Sequence, residues 1–491
     1  MKYIFMYGDH LHYQQDSDGS EALSDDNSAD VEFVPSDSVP SEDESMQGDA
    51  ADVDLEAPQL FTPPRDDAIL TLRGHRESVF CLAVDPLGTY IASGAQDHTA
   101  IVWDLKTGTI AFTAEGHEDS VTCVAFTSDG QMLATGDMSG DVRVWRRPST
   151  PSPVWSLLLH EHVSDLLWFI WWSPPSSHRS KASVAVLAAG DNDGLVTLWS
   201  VCPSSTASDA KRAKYIGGVG VAALSGIFYL PSVDTDRPRL VVLYQNSEIR
   251  LWDVKSEQSL TSLTLKTDKD ETKESEVFCL ACPHETTARD QELLAVGGFG
   301  AIYMVVVKYS LSMEPEFTSK CVAVLDTSDG SSVEALDFSW THPYFAFGTA
   351  DGTLGIVDNT KMRFRQKWTY SDEISDQVGF TSLRWSHQEP IFFTSTTHCA
   401  VIGWSGGGGG GHCDTHSVVD AGSSTTVPAP LFIWWGHQAM ILDLVLIPSS
   451  NVVPTAPTTS GPAHRSVETR LVASASDDST VKLFSMDCNT G

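Results

Sequence analysis

Short apolar segments recur along most of the chain and are separated by turn residues. Their apolar and polar positions alternate, which is the pattern of antiparallel strands with one buried face. The longest apolar run, from Leu166 to Trp172, has seven residues, far fewer than the roughly 20 that a membrane-spanning helix needs. The pattern therefore predicts an all-β protein that does not cross a membrane.

The chain repeats itself with a period of 42 residues. Gly74-His75 recurs as Gly116-His117, and Val102-Trp103 recurs as Val144-Trp145. Units of about 40–45 residues that open with Gly-His and close with Trp-Asp are typical of four-stranded WD-repeat propeller blades. We therefore expect a WD-repeat β-propeller.

Weaker copies of the repeat predict further blades. The residues that close them fall at positions 103, 145, 199, 252, about 306, 357, 404 and 484. This spacing predicts eight blades, or seven if the copy over 276–307 is not a blade. The segment from Ala68 to Leu72 has no blade before it, and we expect it to form the outer strand of the last blade and close the ring.

Residues 1–64 differ in composition from the rest of the chain. They hold sixteen acidic residues and one base, with little apolar periodicity, so a disordered acidic tail is expected there. The propeller is expected over residues 65–488. Segments rich in Gly, Pro, Ser or Thr predict flexible insertions near 203–214, 405–430 and 449–469.

The charge of the chain narrows the choice of partner. The formal net charge of -34 repels nucleic acids and anionic membranes and favours a basic protein partner. Nine cysteines in 491 residues is a low density, which favours a reduced, intracellular protein. We expect a monomer in the cytoplasm, with the nucleus as a second location.

Candidate catalytic and metal motifs have simpler explanations. Cys279-Leu280-Ala281-Cys282 has the spacing of a redox or zinc site, but Cys279 occupies the repeat position of Cys81 and Cys123, where packing is expected. The chain holds no Gly-x-Ser-x-Gly elbow, P-loop or His-Glu-x-x-His motif. We therefore predict a protein that is not an enzyme and needs no cofactor or metal.

A buried hydrogen-bonded chain of four side chains is expected inside each WD blade. In the first blade His75, Ser93, Asp97 and Trp103 fit its four places. The second blade has Ser139 where the turn aspartate is expected, the seventh has His398 there, and the eighth has Phe484 in place of the tryptophan. Incomplete chains are therefore predicted in these three blades.

Propellers bind partners through the loops at one end of the central channel, here called the top face. Acidic residues ringing large apolar ones suit a basic amphipathic segment, because charges steer it in and apolar contacts hold it. The predicted top-face residues are Glu77, Phe80, Glu118, Asp119, Asp165, Trp168, Glu276, Phe278, Glu334, Leu442 and Asp477.

Residues 66–488 resemble the angio-associated migratory cell protein family. The strings that carry the resemblance include Ser78-Val79-Phe80-Cys81, the run from Ala134 to Gly140 and the run from Gly348 to Leu354. Fungal members of this family include a dedicated chaperone of a large-subunit ribosomal protein. The resemblance implies that the top face captures the basic N-terminal segment of such a protein and supports ribosome assembly.

Two other functions remain open from the sequence. Animal relatives suggest a scaffold in signalling or cell migration, and an acidic propeller face also suits a reader of basic histone-type tails. An enzyme is a more distant third class, for which the sequence offers no substrate.

Overall fold

The computed structural model describes residues 61–148, 154–172, 184–203, 213–218, 220–229, 238–267, 270–274, 276–283, 291–309, 315–324, 331–372, 378–407, 428–448 and 470–486. These residues contain eight four-stranded antiparallel sheets arranged as a closed ring, so the predicted all-β propeller of eight blades is confirmed. No helix in these ranges is long and apolar enough to span a membrane. Most of the predicted tail, residues 1–60, and most of the three predicted insertions lie outside the described residues.

The strands of each blade follow one another in chain order from the inner edge to the outer edge. Blade 1 contains β2 (Val79–Val84), β3 (Tyr90–Ala95), β4 (Ala100–Asp104) and β5 (Thr109–Ala114). Blade 2 contains β6 (Val121–Phe126), β7 (Met132–Asp137), β8 (Asp141–Arg146) and β9 (Ser156–His162). Blade 3 contains β10 (Leu166–Trp172), β11 (Ala185–Asp191), β12 (Leu195–Val201) and β13 (Ala213–Gly217). Blade 4 contains β14 (Ala223–Tyr229), β15 (Arg239–Tyr244), β16 (Glu248–Asp253) and β17 (Gln258–Thr264).

The degenerate copy over 276–307 is a true blade. A small hairpin, β18 (Lys266–Thr267) and β19 (Asp270–Glu274), precedes it. Blade 5 contains β20 (Val277–Ala281), β21 (Gln291–Gly298), β22 (Ala301–Tyr309) and β23 (Pro315–Val324). Blade 6 contains β24 (Val333–Phe338), β25 (Tyr344–Thr349), β26 (Thr353–Asp358) and β27 (Arg363–Thr369). Blade 7 contains β28 (Phe380–Trp385), β29 (Ile391–Thr396), β30 (Val401–Ser405) and β31 (Phe432–Trp434).

The ring is closed by strands from both ends of the repeat region. Blade 8 contains β32 (Ile441–Ile447), β33 (Arg470–Ser476), β34 (Thr480–Met486) and, as its outer strand, β1 (Leu70–Arg73). Leu70 pairs with Leu483 in antiparallel register. The predicted closing strand is therefore confirmed, and it covers a sheet edge that would otherwise be open.

The chain just before β1 packs on blades 7 and 8. Phe61 donates its backbone N–H to Gln438 O over 2.9 Å, and its ring centroid lies 5.8 Å from that of Trp435. Asp67 and Trp435 exchange two hydrogen bonds, from Asp67 N to Trp435 O and from Trp435 N to Asp67 Oδ2. We call residues 61–69 the N-terminal strap; the packed chain thus begins before residue 65, where the sequence placed the boundary.

The apolar core lies between neighbouring blades. Leu72, Val79 and Leu483 belong to one buried cluster that joins blade 8 to blade 1. Asp443 of blade 8 also links the blades, because its Oδ2 accepts a hydrogen bond from Leu82 N over 3.0 Å. Shared cores of this kind make the end of the ring a firm support for the loops that it carries.

Candidate partner-binding face

One end of the ring repeats the same backbone hydrogen bond in every blade. Gln96 N donates to Ser78 O over 2.9 Å, and Met138 N donates to Ser120 O over 3.0 Å. The donor follows the second strand of its blade, and the acceptor directly precedes the inner strand. We call this end the upper rim; its donors are Gln96, Met138, Asn192, Gln245, Phe299, Ala350, Thr397 and Asp477, and its acceptors are Ser78, Ser120, Asp165, Ala222, Glu276, Ser332, Gly379 and Met440.

A β-bulge follows at the second residue of every inner strand. The pairing of β2 with β3 shifts between Val79 and Cys81, for example, so Phe80 has no direct partner across the sheet. Bulges of this kind redirect a side chain away from its regular strand position. The eight equivalent bulge residues are Phe80, Thr122, Leu167, Leu224, Phe278, Glu334, Thr381 and Leu442.

Most of the predicted acidic residues lie at the upper rim. Glu77, Glu118, Asp165 and Glu276 are exposed and Asp119 is half-buried. All five lie within two positions of a rim acceptor or are rim acceptors themselves. Exposed carboxylates at one end of a channel attract cationic segments over a distance that salt limits to about 8–10 Å.

The predicted apolar residues are divided between the rim and the core. Phe80 and Phe278 are half-buried bulge residues, whereas Leu442 is only 6% exposed. Trp168 does not lie at the rim: it holds the repeat position of Cys81, and its Nε1 donates to Ala223 O of the next blade over 2.8 Å. In blade 3 the bulge position belongs to Leu167, one residue before the one that the sequence suggested.

Phe299 is a rim residue that the sequence did not reveal. It is the rim donor of blade 5, it bonds Glu276 O over 2.8 Å, and it is 49% exposed. The turn around it, Gly298-Phe299-Gly300, has no Asp or Asn to mark the usual register of a WD turn. Leu224, the bulge residue of blade 4, is a second rim residue that the sequence did not reveal.

Blade 5 therefore brings an acid and two aromatic residues to one stretch of the upper rim. Glu276 precedes the inner strand, Phe278 occupies its bulge, and Phe299 lies on the adjoining turn. Glu334, the bulge residue of blade 6, adds a second carboxylate, which accepts a hydrogen bond from Ser332 Oγ. An exposed aromatic side chain beside carboxylates at a rim is the composition of a partner-binding surface.

Asp477, the last of the predicted top-face acids, is half-buried rather than exposed. Burial raises the pKa of its carboxyl, the hydrogen bond with Ser78 lowers it, and the carboxylate of Asp478 raises it further. Asp478 behaves in the opposite way: burial opposes its ionisation, but the hydrogen bond with His437 lowers its pKa to about 2. Two adjacent acids thus differ because only one of them has an imidazole partner.

The buried chain of blade 1 contains the four predicted residues. His75 Nε2 lies 2.8 Å from Ser93 Oγ, and Trp103 Nε1 donates to the same oxygen over 2.9 Å. His75 Nδ1 lies 3.1 Å from Asp97 Oδ2, which also accepts a hydrogen bond from Arg76 N. The chain fixes the loop that leads into the inner strand, and so it fixes the rim.

In blade 2 a different aspartate completes the chain. Asp137, two positions before the expected Ser139, faces His117 Nδ1 at 3.3 Å. Ser139 Oγ donates to Asp137 Oδ1 over 2.8 Å, and Thr135 Oγ1 joins His117 to Trp145. The expected gap at Ser139 is therefore filled by a buried acid, so the prediction of an incomplete chain in blade 2 was wrong.

Blade 8 lacks the indole donor, as its sequence suggested. His437 Nε2 lies 2.8 Å from Ser474 Oγ, and His437 Nδ1 lies 2.9 Å from Asp478 Oδ2. Phe484 packs edge-on against His437 and has no donor to offer Ser474. Three members of the chain hold the loop without the fourth.

The closed ring of eight four-stranded sheets, the shared rim and the His–Ser/Thr–Trp chains define a β-propeller. Residues 67–104 and 108–146 match the family described as "WD domain, G-beta repeat". Among curated proteins, the ribosome biogenesis protein ERB1 of Coccidioides immitis is 43% identical over 54 residues, which is 11% of this chain and 6% of ERB1. The nuclear distribution protein PAC1 of Gibberella zeae is 28% identical over 141 residues, 28% of this chain and 29% of PAC1. The chain thus spans less than a tenth of the length of the ERB1 proteins that it matches.

Two solved structures share the architecture over most of the chain. Sqt1 of Saccharomyces cerevisiae superposes with a TM-score of 0.65 at 19% identity, covering 86% of this chain and 99% of Sqt1. Sqt1 of Chaetomium thermophilum, bound to the N-terminus of the ribosomal protein L10, gives a TM-score of 0.63 at 19% identity and covers 86% of this chain and all of that one. At this identity the similarity shows a shared fold and nothing further.

Proposed function

We propose that this protein is a non-enzymatic chaperone that captures the basic N-terminal segment of a large-subunit ribosomal protein on its upper rim. The observation that carries the proposal is the group in blade 5, where the exposed Glu276, the bulge residue Phe278 and the half-exposed Phe299 share one stretch of the upper rim. The fold of Sqt1, whose structure was solved with the N-terminus of ribosomal protein L10, supports this choice of client. The proposal also includes that the protein is a cytoplasmic monomer. Because its net charge is -34, we further propose that it makes no direct contact with nucleic acid or membrane.

The two kinds of residue at the rim have separate roles in this mechanism. Exposed carboxylates steer a cationic segment to the rim, so they act mainly on the association rate. The aromatic side chains lose water on binding and retain the segment, so they act mainly on the dissociation rate. A client that is basic in some positions and apolar in others would use both.

Titration of a synthetic peptide from the N-terminus of ribosomal protein L10 tests the proposal. Full-length protein is compared with Glu276→Lys and with a control, Glu257→Lys, which reverses an exposed charge on the β16–β17 loop at the opposite end of the ring. We expect Glu276→Lys to weaken binding about tenfold at low salt, and Glu257→Lys to leave it unchanged. Raising the ionic strength is expected to reduce the difference.

The outcome that contradicts the proposal is equally specific. Equal affinities of wild type and Glu276→Lys would exclude the upper rim as the site. Binding that is strong and independent of salt would favour an apolar partner and hence a scaffold. Tighter binding of a histone tail than of the ribosomal peptide would change the proposed partner, while the upper rim would remain the proposed binding site.

A further inference from the structure

Blade 3 contains three of the four residues of a buried WD chain but cannot assemble it. Its sheet register places His162, Asp193 and Trp199 at the positions that histidine, aspartate and tryptophan hold in blade 1. The fourth position, held by Ser93 in blade 1, is Ala189 in blade 3. A methyl group can neither donate nor accept a hydrogen bond, so nothing joins the imidazole to the indole.

As a result, the polypeptide backbone next to His162 makes different hydrogen bonds from those of blade 1. β9 continues through His162, and Val163 N donates to Gly140 O of blade 2 over 2.9 Å. In blade 1 the equivalent residue, Arg76, instead donates its backbone N–H to Asp97 Oδ2. The imidazole of His162 is exposed rather than buried in its blade.

A cavity of about 470 Å³ lies at this place, between β9 and blade 3. We call it the shoulder pocket. Its volume is in the range of small-molecule sites and exceeds that of a single long side chain. The lining residues that matter here are His162, Asp191, Asp193, Thr197, Trp199 and Tyr215.

Two carboxylates of the pocket, those of Asp191 and Asp193, form no ion pair with any described residue. Asp191 is only 2% exposed, and its Oδ1 accepts hydrogen bonds from Asp193 N and Leu195 N over 3.1 and 2.8 Å. Burial and the neighbouring Asp193 carboxylate both raise the pKa of Asp191. A buried carboxylate beside a second acid, with no cation to offset them, favours a positively charged ligand.

The aromatic walls suit the same kind of ligand. Trp199 and Tyr215 both line the pocket, but Trp199 is only 1% exposed, so the accessible aromatic face is that of Tyr215, which is 60% exposed. Aromatic faces attract ammonium and guanidinium groups. Acid and aromatic groups together distinguish a cation from an apolar group or an anion.

We propose that the shoulder pocket binds one basic side chain, a lysine ammonium or an arginine guanidinium, of a protein partner. The long apolar stem of either side chain would lie against Tyr215 while its charged end reaches Asp191 and Asp193. None of the eight bulge residues lines this pocket, and the inference does not depend on the client proposed above. A partner held at the upper rim could place a basic residue there, as could an unrelated one.

Small blocked amino acids test the pocket without a client peptide. N-acetyl-lysine methylamide and N-acetyl-arginine methylamide are titrated against the full-length protein by ligand-observed NMR. Their neutral counterparts carry norleucine and citrulline, which have nearly the same shape without the charge. We expect saturable binding of the charged compounds and at least about fivefold weaker binding of the neutral ones.

Two variants locate the binding. Asp193→Asn removes an exposed charge with little risk to the fold and should weaken the charged compounds about fivefold. Asp129→Asn, which neutralises an exposed carboxylate on the β6–β7 loop at the opposite end, should have no effect. Ala189→Ser supplies the missing hydroxyl, so His162 should turn inward, fill the pocket and abolish binding. Circular dichroism and the melting temperature show that each variant is folded.

Three results would overturn the proposal. They are no saturable binding by the wild type, equal binding of charged and neutral compounds, and binding that survives in both Asp193→Asn and Ala189→Ser. Comparison of the lysine and arginine compounds shows which basic side chain the pocket prefers. None of these measurements uses the ribosomal peptide, so this inference and the proposed function can fail independently.

Discussion

Lys482 Nζ lies 2.9 Å from Asp66 Oδ2, although the two residues are 416 positions apart in the chain. The lysine belongs to β34 and is only 3% exposed, and its second hydrogen bond, 3.2 Å long, goes to Thr71 Oγ1 of the closing strand. The strap thus supplies the countercharge for an ammonium group that ring closure buries. Removing the strap would leave that charge uncompensated.

The first prediction follows from this contact. Deleting residues 1–60 should leave the melting temperature within a few degrees, because the strap and β1 remain. Deleting residues 1–67 should cost a few kcal/mol, although β1 is still present, because Lys482 loses Asp66 and Trp435 loses Phe61. Adding Lys482→Met to the longer deletion should recover part of the loss. Equal stability of the two deletions in urea unfolding would show that the strap does not stabilise the ring.

The second prediction concerns the buried chain of blade 2. Asp137→Ala should reduce the free energy of unfolding by roughly 1–3 kcal/mol, because it strands the His117 imidazole and several backbone donors. Ser139→Ala removes one donor to Asp137 and should cost less. Chemical denaturation that ranks the two variants in the reverse order would contradict the assignment of Asp137 to the chain.

The sequence predicts the features of this fold that depend on residue spacing, and it does not predict those that depend on local backbone irregularities. The number of blades, the closing strand and the four residues from His75 to Trp103 follow from spacing, which the repeat preserves. The bulge at each inner strand leaves no mark in the composition, so the rim residue of blade 3 was assigned to Trp168 rather than Leu167. In blade 2 the aspartate that contacts the histidine is Asp137, two positions before the expected Ser139. A repeat pattern that aligns equivalent positions cannot predict this shift.

The third prediction is a loss of stability in acid. Asp137 and Asp478 have pKa values of about 2 in the folded protein against an ordinary value of 3.8. Since the folded pKa is depressed, the stabilisation is complete above pH ~4 and is lost as the pH falls toward ~2. Each group should contribute up to about 2 kcal/mol.

Asp137→Asn provides the control for this acid dependence. The variant is expected to be less stable at pH 6 and to lose less stability between pH 4 and pH 2, because one of the titrating groups is gone. Urea midpoints measured at several pH values report both effects. Parallel pH profiles of wild type and variant would show that Asp137 does not titrate in this range.

The fourth prediction separates stability from binding at Asp477. Its folded pKa is raised, so its ionisation above that pKa costs stability, and the cost is present at neutral pH. Asp477→Asn should therefore be at least as stable as the wild type at pH 7 while binding the basic peptide more weakly. Thermal melts and the peptide titration are the measurements. A variant that is less stable than the wild type and binds the peptide with equal affinity would contradict the prediction.

The fifth prediction uses the rim aromatic that the structure revealed. Phe299→Ala should raise the dissociation rate of the peptide severalfold with little change in its association rate or salt dependence. Trp340→Ala, which truncates an exposed aromatic residue on the β24–β25 loop at the opposite end, is the matched control. Stopped-flow measurements distinguish the two rates, and an effect confined to association would reverse the role given to Phe299.

Closure of the ring by β1 and β34 has a consequence for the synthesis of the protein itself. Leu70 leaves the ribosome about 400 residues before its partner Leu483, and at the usual 5–20 residues per second that delay is roughly 20–80 s. Throughout this time the first strand has no sheet to join, and the growing stack of blades exposes an unpaired edge. The last seconds of translation, rather than the first folded blade, therefore decide when the nascent protein stops being a target for aggregation.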